Sequence, residues 1–300
     1  NRLLRVNATS AADVVLAMGC RFDFRHGGGA FIAKDATVIQ VHTDQNQIGF
    51  NVRGDIGITG APGPVARQLL TSISTKRDAA IGDSWVGAAG TTTTADLPGP
   101  FHDPNVPIHP ARCAGEVARF LEAEGRDWSL VMDGGEASVW MGGASTAYRA
   151  GRLHATGPNG TIGTGPGLTI GAWAATREPV LWYTGDGSFG FYAMELDTMA
   201  RLGIPVVCVI SNDSGWGMIS LVEKSIRADE IAERGSCNTD LHPMRAYEKM
   251  VAMWDGHGEQ VTDPDEIVPA IERAVANGKP SIVNVEVDNV SFSPFIAPYI

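Results

Sequence analysis

The sequence predicts an α/β fold of doubly wound parallel sheets with helices on both faces. Three observations point there. Short apolar runs alternate with amphipathic stretches, the pattern of strand–helix–strand crossovers. The runs read as strands buried on both faces, as in parallel sheets. The 300 residues also include 36 glycines, which suits many tight strand-to-helix turns.

The elements follow in order. ADVVLAMGC (12–20) reads as a buried strand and turn, with GGG at 27–29. ATVIQVHTD (36–44) and IGITG (56–60) read as two more strands. APGPVARQLLTSI (61–73) reads as a helix with prolines in its first turn. Residues 1–75 form a small piece that opens on the tail of a helix. The expectation is the second half of a domain whose first half is not in this sequence.

Residues 76–107 are polar, with scattered Gly, Thr and Pro and no period, and are expected to be a linker. A second domain is expected over 108–290. It opens on a helix with Pro110 in its first turn, then the strand WSLVMD (128–133) and a Gly-rich loop (157–167). A helix (168–176), the strand PVLWYT (179–184), a helix (190–202) and the strand VVCVIS (206–211) follow. Helices at 243–254 and 264–276 and strands near 259–261 and 281–288 complete it. Residues 291–300 are expected to be a tail or a lid.

Composition narrows the function classes. With 44% hydrophobic and 19% charged residues the chain reads as an ordinary globular protein. A net charge of −11 argues against nucleic acid and against an anionic membrane surface. No apolar run approaches the about 20 residues of a membrane span. Arg5 and Asn7 interrupt the opening NRLLRVNATSAADVV, so it does not read as a signal peptide. Cys20, Cys113, Cys208 and Cys237 form no CxxC pair and read as buried free thiols of a cytoplasmic protein.

Two acidic turns carry the chemistry. Gly185-Asp186-Gly187 and Asn212-Asp213-Ser214-Gly215 each close an apolar strand, with one helix between them. A right-handed crossover places both turns at the carboxyl edge of the sheet, where open α/β folds bind ligands. Strands about 4.8 Å apart let two carboxylates meet on one cation. Mg2+ is usually held by one or two carboxylates plus phosphate oxygens. Ser188 is expected to cap the following helix, whose core face would carry Phe191, Met194 and Met199. Its free N–H groups would favour an anion beside Gly187. The pattern describes a metal-bridged diphosphate site.

Gly-Asp-Gly followed by a segment ending in Asn-Asp resembles the signature of thiamine-diphosphate enzymes. The resemblance implies Mg2+ held by Asp186, Asp213 and the carbonyl of Gly215. The family more often has asparagine at the second position, so Asp213 adds a negative charge beside the diphosphate. TGPNGTIGTGPGLTIGA (156–172) is similar to the family's Gly-Thr-apolar-Gly loop. Ile162 would then wedge between the cofactor's two rings, and the Gly160 carbonyl would accept from the aminopyrimidine. The dinucleotide reading of Gly163-x-Gly165-x-Gly167 is weak, because no strand runs into it and Pro166 interrupts it. DGGEASVWM (133–141) resembles the loop across the diphosphate, with Glu136 and Ser138 at the contact positions. Gly185, Gly187, Ser188, Trp216, Gly217 and Met218 complete the implied cofactor set, and Trp216, Met218 and Ile219 would shape the substrate pocket.

The resemblance covers residues 10–290 and is nearest to the acetolactate synthase and 2-hydroxyacyl-CoA lyase branch. GWGMI (215–219) looks like the synthases, and the 247–288 stretch looks like the lyases. It implies a partial Rossmann-like central domain followed by a thiamine-diphosphate-binding domain. The central domain would bind FAD, an ADP moiety or nothing, with Arg21, Asp23 and Asp44 as the residues to watch. The implied activity is a thiamine-diphosphate- and Mg2+-dependent carbon–carbon lyase or carboligase on 2-keto acids or 2-hydroxyacyl(-CoA) compounds. A simple 2-keto acid decarboxylase and a non-catalytic nucleotide-binding relative are the alternatives. The activating glutamate would sit in a pyrimidine-binding domain of the same protein or a partner chain, in a homodimer or homotetramer. No catalytic residue is therefore assigned within these 300 residues, and the chain alone is expected to turn over no substrate.

Overall fold

A computed structural model describes residues 8–73, 93–124, 127–157 and 159–293, except the side chains of Phe24 and Arg25. Arg5, Asn7, residues 76–92 of the expected linker and residues 294–300 of the expected tail lie outside the described residues. The chain divides into two compact units, one mainly of residues 2–92 and the other mainly of 93–296.

The first unit holds a three-stranded parallel sheet: β1 (Val14–Met18), β2 (Thr37–His42) and β3 (Ile56–Thr59), in that order. Helix α1 (Pro62–Ser72) follows, with proline at its start. Ala17, Val38, Val41 and Val65 are buried, while Val14, Leu16 and Ile56 stay about half exposed. Gln40, itself buried, ties the β2–β3 connection. Its Nε2 donates to Val52 O at 2.9 Å and its Oε1 accepts from Gly49 N at 2.7 Å. The three glycines 27–29 all take positive φ (62, 55 and 89°).

The second unit is a six-stranded all-parallel sheet. Its strands are β4 (Ser129–Met132), β5 (Leu153–Ala155), β6 (Val180–Gly185), β7 (Val206–Asn212), β8 (Gly258–Val261) and β9 (Ser281–Glu286). Their order across the sheet is β5-β4-β6-β7-β9-β8. The chain leaves β4 in one direction to β5, then returns past it to β6. That reversal is a topological switch point, where the loops on either side separate and leave a crevice.

The helices of this unit are α2 (Pro110–Ala123), α3 (Glu136–Ala144), α4 (Gly165–Thr176), α5 (Asp186–Tyr192), α6 (Glu195–Arg201), α7 (Gly217–Ile226), α8 (Ala228–Arg234) and α9 (Ile267–Asn277), of which α3, α4, α5 and α9 pack on the sheet. His109 caps α2 by accepting from Ala111 N, and Pro110 occupies its first turn. Trp182, Phe189, Leu196, Met199 and Ile210 are fully buried together at the centre. Cys113 and Cys208 are buried, and burial pushes the Cys113 thiol up to about 12. Cys20 is only half-buried and Cys237 is exposed, so the expectation of buried thiols holds for two of the four.

Several elements differ from expectation. The helix expected at 190–202 starts at Asp186, directly after β6, and breaks near Ala193. This shifts its phase. Phe189, Leu196 and Met199 are buried, whereas Phe191 and Met194 are more than half exposed. The segment expected as a helix at 243–254 is a 3-10 turn over Tyr247–Met253. α3 was not foreseen because it has no polar face to mark a period: Ala137, Val139, Trp140, Met141 and Ala144 are all buried. β5, α7 and α8 also lay outside the sequence reading. Residues 93–107, expected in the linker, carry two 3-10 turns that bury Leu97 and Phe101.

Candidate active site

Three neighbouring strand ends build the site. Gly134 and Gly135 lie just beyond β4, Asp186 beyond β6 and Asp213 beyond β7. Gly185 stands opposite Ser211 in the parallel register, so Asp186 and Asp213 leave adjacent strands at nearly the same height. Both line one cavity of about 230 Å³. Of the residues expected at the cofactor, Glu136, Gly160, Ile162, Gly185, Gly187, Ser188, Gly215, Trp216, Gly217 and Met218 line it as well.

The Asp186 carboxyl is buried, that of Asp213 is half-buried, and the two are within hydrogen-bonding reach of each other. Burial, and then the Asp213 charge, pushes Asp186 up to about 8. Burial likewise raises Asp213. Asp186 Oδ1 is buried with no hydrogen-bond partner among the described residues. No Lys or Arg is among the described residues lining the cavity. Two acids in this setting either retain a proton or meet a cation from outside. Among the described residues no group of three or more His, Cys, Asp or Glu side chains is placed to hold a metal. A metal here would draw its remaining ligands from backbone and from its own ligand.

Glycine is required around this pair. A Cβ on Gly217 would lie 2.5 Å from Asp213 Oδ2, and one on Gly187 would lie 3.0 Å from Trp216 Cε3. The Asp213 turn is held from two sides. Asn212, fully buried, donates to Asn284 Oδ1 at 3.0 Å and accepts from Ser214 N at 3.1 Å. Trp216 N donates to Thr239 O and Leu241 N donates to Ser214 O, at 2.8 and 2.7 Å. These bonds use the groups flanking Gly215 and leave its carbonyl outside the ladder.

Three expected residues act differently. Ser188 does not cap α5, because the helix begins before it and its N-cap is Gly185. Its Oγ instead accepts from Gly163 N at 2.8 Å. Ser138 does not line the cavity. In the first turn of α3 its hydroxyl donates back to Gly134 O and Gly135 O, at 2.6 and 2.9 Å. Glu136 lines the cavity, yet its Oε1 accepts from Ser293 N, so it holds the C-terminal segment across the site.

The amides of Gly163 and Gly165 are engaged by the Asp133 carboxylate. They are closed to a dinucleotide phosphate, which explains in physical terms why the glycine spacing there carries no such site. Sequence reasoning missed Asp133. It also missed Trp140, Val287, Asn289 and Phe292, which reach the cavity from α3 and from the segment after β9. No local pattern marks them. His242 is exposed, and His257 pairs with Glu259 at 2.9 Å away from the cavity.

In the first unit, Arg21 and Asp23 line a separate cavity of about 210 Å³ with Phe22, Gln47, Phe50 and Asn51. Asp44 is not part of it. Its Oδ1 accepts from Asn46 N at 3.0 Å and caps a short turn.

Comparison with known proteins bears on this geometry. Residues 133–285 match the family model described as thiamine pyrophosphate enzyme, C-terminal TPP binding domain. Residues 4–69 match the model described as thiamine pyrophosphate enzyme, central domain. The chain is 32% identical to an acetolactate synthase large subunit of Mycobacterium tuberculosis, over 95% of this chain and 50% of the relative. It is 27% identical to 2-hydroxyacyl-CoA lyase 2 of Danio rerio, over 96% of this chain and 46% of the relative. An oxalyl-CoA decarboxylase of Escherichia coli is 30% identical over 57% of this chain and 29% of its own length. The chain thus spans about half the length of the relatives it matches from end to end. Most residues lining its strand-end cavity, Asp186 and Asp213 among them, fall in the matched C-terminal region, and the chain belongs to the thiamine pyrophosphate enzyme family.

Proposed function

We propose that this chain forms the diphosphate-binding part of a Mg2+-dependent carbon–carbon lyase or carboligase that uses thiamine diphosphate. The observation that carries the reading is the close Asp186–Asp213 pair on adjacent strand ends, Asp186 buried with one carboxyl oxygen lacking a donor among the described residues. A hard cation with oxygen ligands and a bound diphosphate satisfies that demand. Asp186, Asp213 and the Gly215 carbonyl would hold it. Gly187 and Ser188, in the first turn of α5, sit where the diphosphate would be received.

When bound, the cofactor supplies a nucleophilic carbon and a sink for the charge left when a carbon–carbon bond breaks. The residues of this chain orient it and exclude water. Ile162 and Gly160 form one wall, and Trp216, Met218 and Ile219 another. Glu136 accepts from Ser293 N, and its place is with the segment after β9. The substrates are 2-keto acids or 2-hydroxyacyl-CoA compounds, on the strength of the named relatives. A pyrimidine-binding domain, from the same protein or a partner chain, provides the activating carboxylate. We place the assembly in the cytoplasm as a homodimer or homotetramer.

A second reading rests on the Arg21 cavity of the first unit, where a guanidinium and two aromatic rings could receive an ADP moiety or FAD. Titration separates the readings. Thiamine diphosphate should quench tryptophan fluorescence only with Mg2+ present, and Asp186→Ala should abolish the response. Binding of ADP or FAD with no response to thiamine diphosphate would instead identify a non-catalytic nucleotide-binding relative. Product analysis after addition of the pyrimidine-binding domain distinguishes carboligation from simple decarboxylation.

A further inference from the structure

Asp133 follows β4 and has no exposed surface. It lies behind the cavity wall and is not among the lining residues. A buried carboxylate needs hydrogen bonds to replace its water. Backbone amides supply them here. Oδ1 accepts from Gly134 N at 2.7 Å and from Gly163 N at 3.0 Å. Oδ2 accepts from Gly165 N at 2.9 Å. Ser188 Oγ shares the Gly163 amide at 2.8 Å.

Glycine at 163 and 165 follows from the same packing. A Cβ on Gly165 would lie 2.7 Å from Asp133 Oδ2 and would overlap Trp182 Nε1. Gly163 has φ +79°, and a Cβ there would lie 2.7 Å from Phe191 Cβ. The gripped amides come one and three residues after Ile162, which lines the cavity with Gly160.

We propose that Asp133 is a positioning residue: by gripping the Gly163 and Gly165 amides it sets Ile162 against the rings of the bound cofactor. The proposal rests on the thiamine-diphosphate reading of the cavity. The carboxylate matters because both oxygens must accept. An asparagine offers one oxygen and turns an N–H donor toward a second N–H.

The test compares wild type with Asp133→Asn in the full 300-residue chain. Hydrogen exchange reads the Gly163 and Gly165 amides, and tryptophan fluorescence reads binding of thiamine diphosphate and of inorganic pyrophosphate, each with Mg2+. In the variant the two loop amides should exchange at least tenfold faster while β7 amides keep their protection. Thiamine diphosphate should bind at least tenfold more weakly, and pyrophosphate, which lacks the rings, within twofold of wild type. A merely structural role would weaken both ligands together. Unchanged loop exchange overturns the proposal, as does a released loop with undiminished thiamine diphosphate affinity. Should Asp133→Asn fail to fold, Ile162→Ala decides: it keeps the clamp, and it must still weaken thiamine diphosphate selectively. If wild type binds thiamine diphosphate no better than pyrophosphate, the functional reading falls and takes the ring-positioning role with it. Loop exchange still decides the clamp itself.

Discussion

A Cβ on Gly217 would stand 2.5 Å from Oδ2 of Asp213. The glycine at the start of α7 therefore makes room for the carboxylate at the end of β7, four residues earlier in the chain. Gly217→Ala should push the Asp213 side chain off its place beside Asp186. Calorimetry should show Mg2+–thiamine diphosphate affinity falling at least tenfold, with thermal stability little changed. Equal affinity in the variant would mean that Asp213 takes no part in cation binding.

The acid pair has a pH signature. In the folded, metal-free chain Asp186 is raised to about 8 by burial and then by the Asp213 charge. Unfolded carboxyls titrate near about 4. Between those values the folded chain keeps a proton that the unfolded chain has lost, so stability falls as pH rises. In EDTA the wild-type melting temperature should drop from pH 5 to pH 8 more than that of Asp213→Asn. Adding Mg2+ with thiamine diphosphate should flatten the wild-type curve. Parallel curves for the two proteins would remove the electrostatic account of the pair.

The extra charge of Asp213 should also appear in the cation requirement. Asp213→Asn keeps an oxygen ligand but removes a carboxylate, so it should need several-fold more Mg2+ for half-maximal cofactor binding. If metal and cofactor affinities are unchanged, the departure from asparagine has no role.

Asn212 is bonded to structure rather than to ligand. It joins β7 to Asn284 on β9 and supports the Ser214 amide. Asn212→Ala should cost about 1–3 kcal/mol, because it leaves buried polar partners unmet. Urea unfolding measures this. A loss well below that range would show that water replaces the missing amide.

In the first unit, Gly28 and Gly29 both take positive φ but face different surroundings. A Cβ at Gly28 meets nothing within 4 Å, whereas one at Gly29 would overlap Val52 Cγ2. Gly28→Ala should cost about 1–2 kcal/mol from the left-handed backbone alone. Gly29→Ala should cost clearly more. The ratio of the two losses in chemical denaturation isolates the steric part.

Much of the fold was legible because it is local. VVCVIS and PVLWYT are apolar runs long enough for a strand, and each ends in a turn that contains an acid. α3 was not legible, since EASVWMGGA is buried on all sides and shows no period. The phase of α5 was misread for a different reason. The helix starts at Asp186, so Phe189 turns inward and Phe191 outward. A shift of a few residues in a helix start rotates every side chain that follows.

The sequence by itself determined every strand but β5, and that two acids stand at successive strand exits joined by a helical crossover. It also marked the glycine-rich loop and the turn after β4. Only the tertiary structure decided the strand order that makes β6 and β7 neighbours and puts the switch point beside β4. It also decided that Ser188 accepts from Gly163 instead of capping a helix, that Glu136 holds the segment after β9, and that Asp133 grips the loop thirty residues away. The physical reason is range. Strand propensity and turn chemistry act over a few neighbouring residues and can be read in order. The bond a buried polar group makes depends on which distant donors the folded sheet brings within about 3 Å.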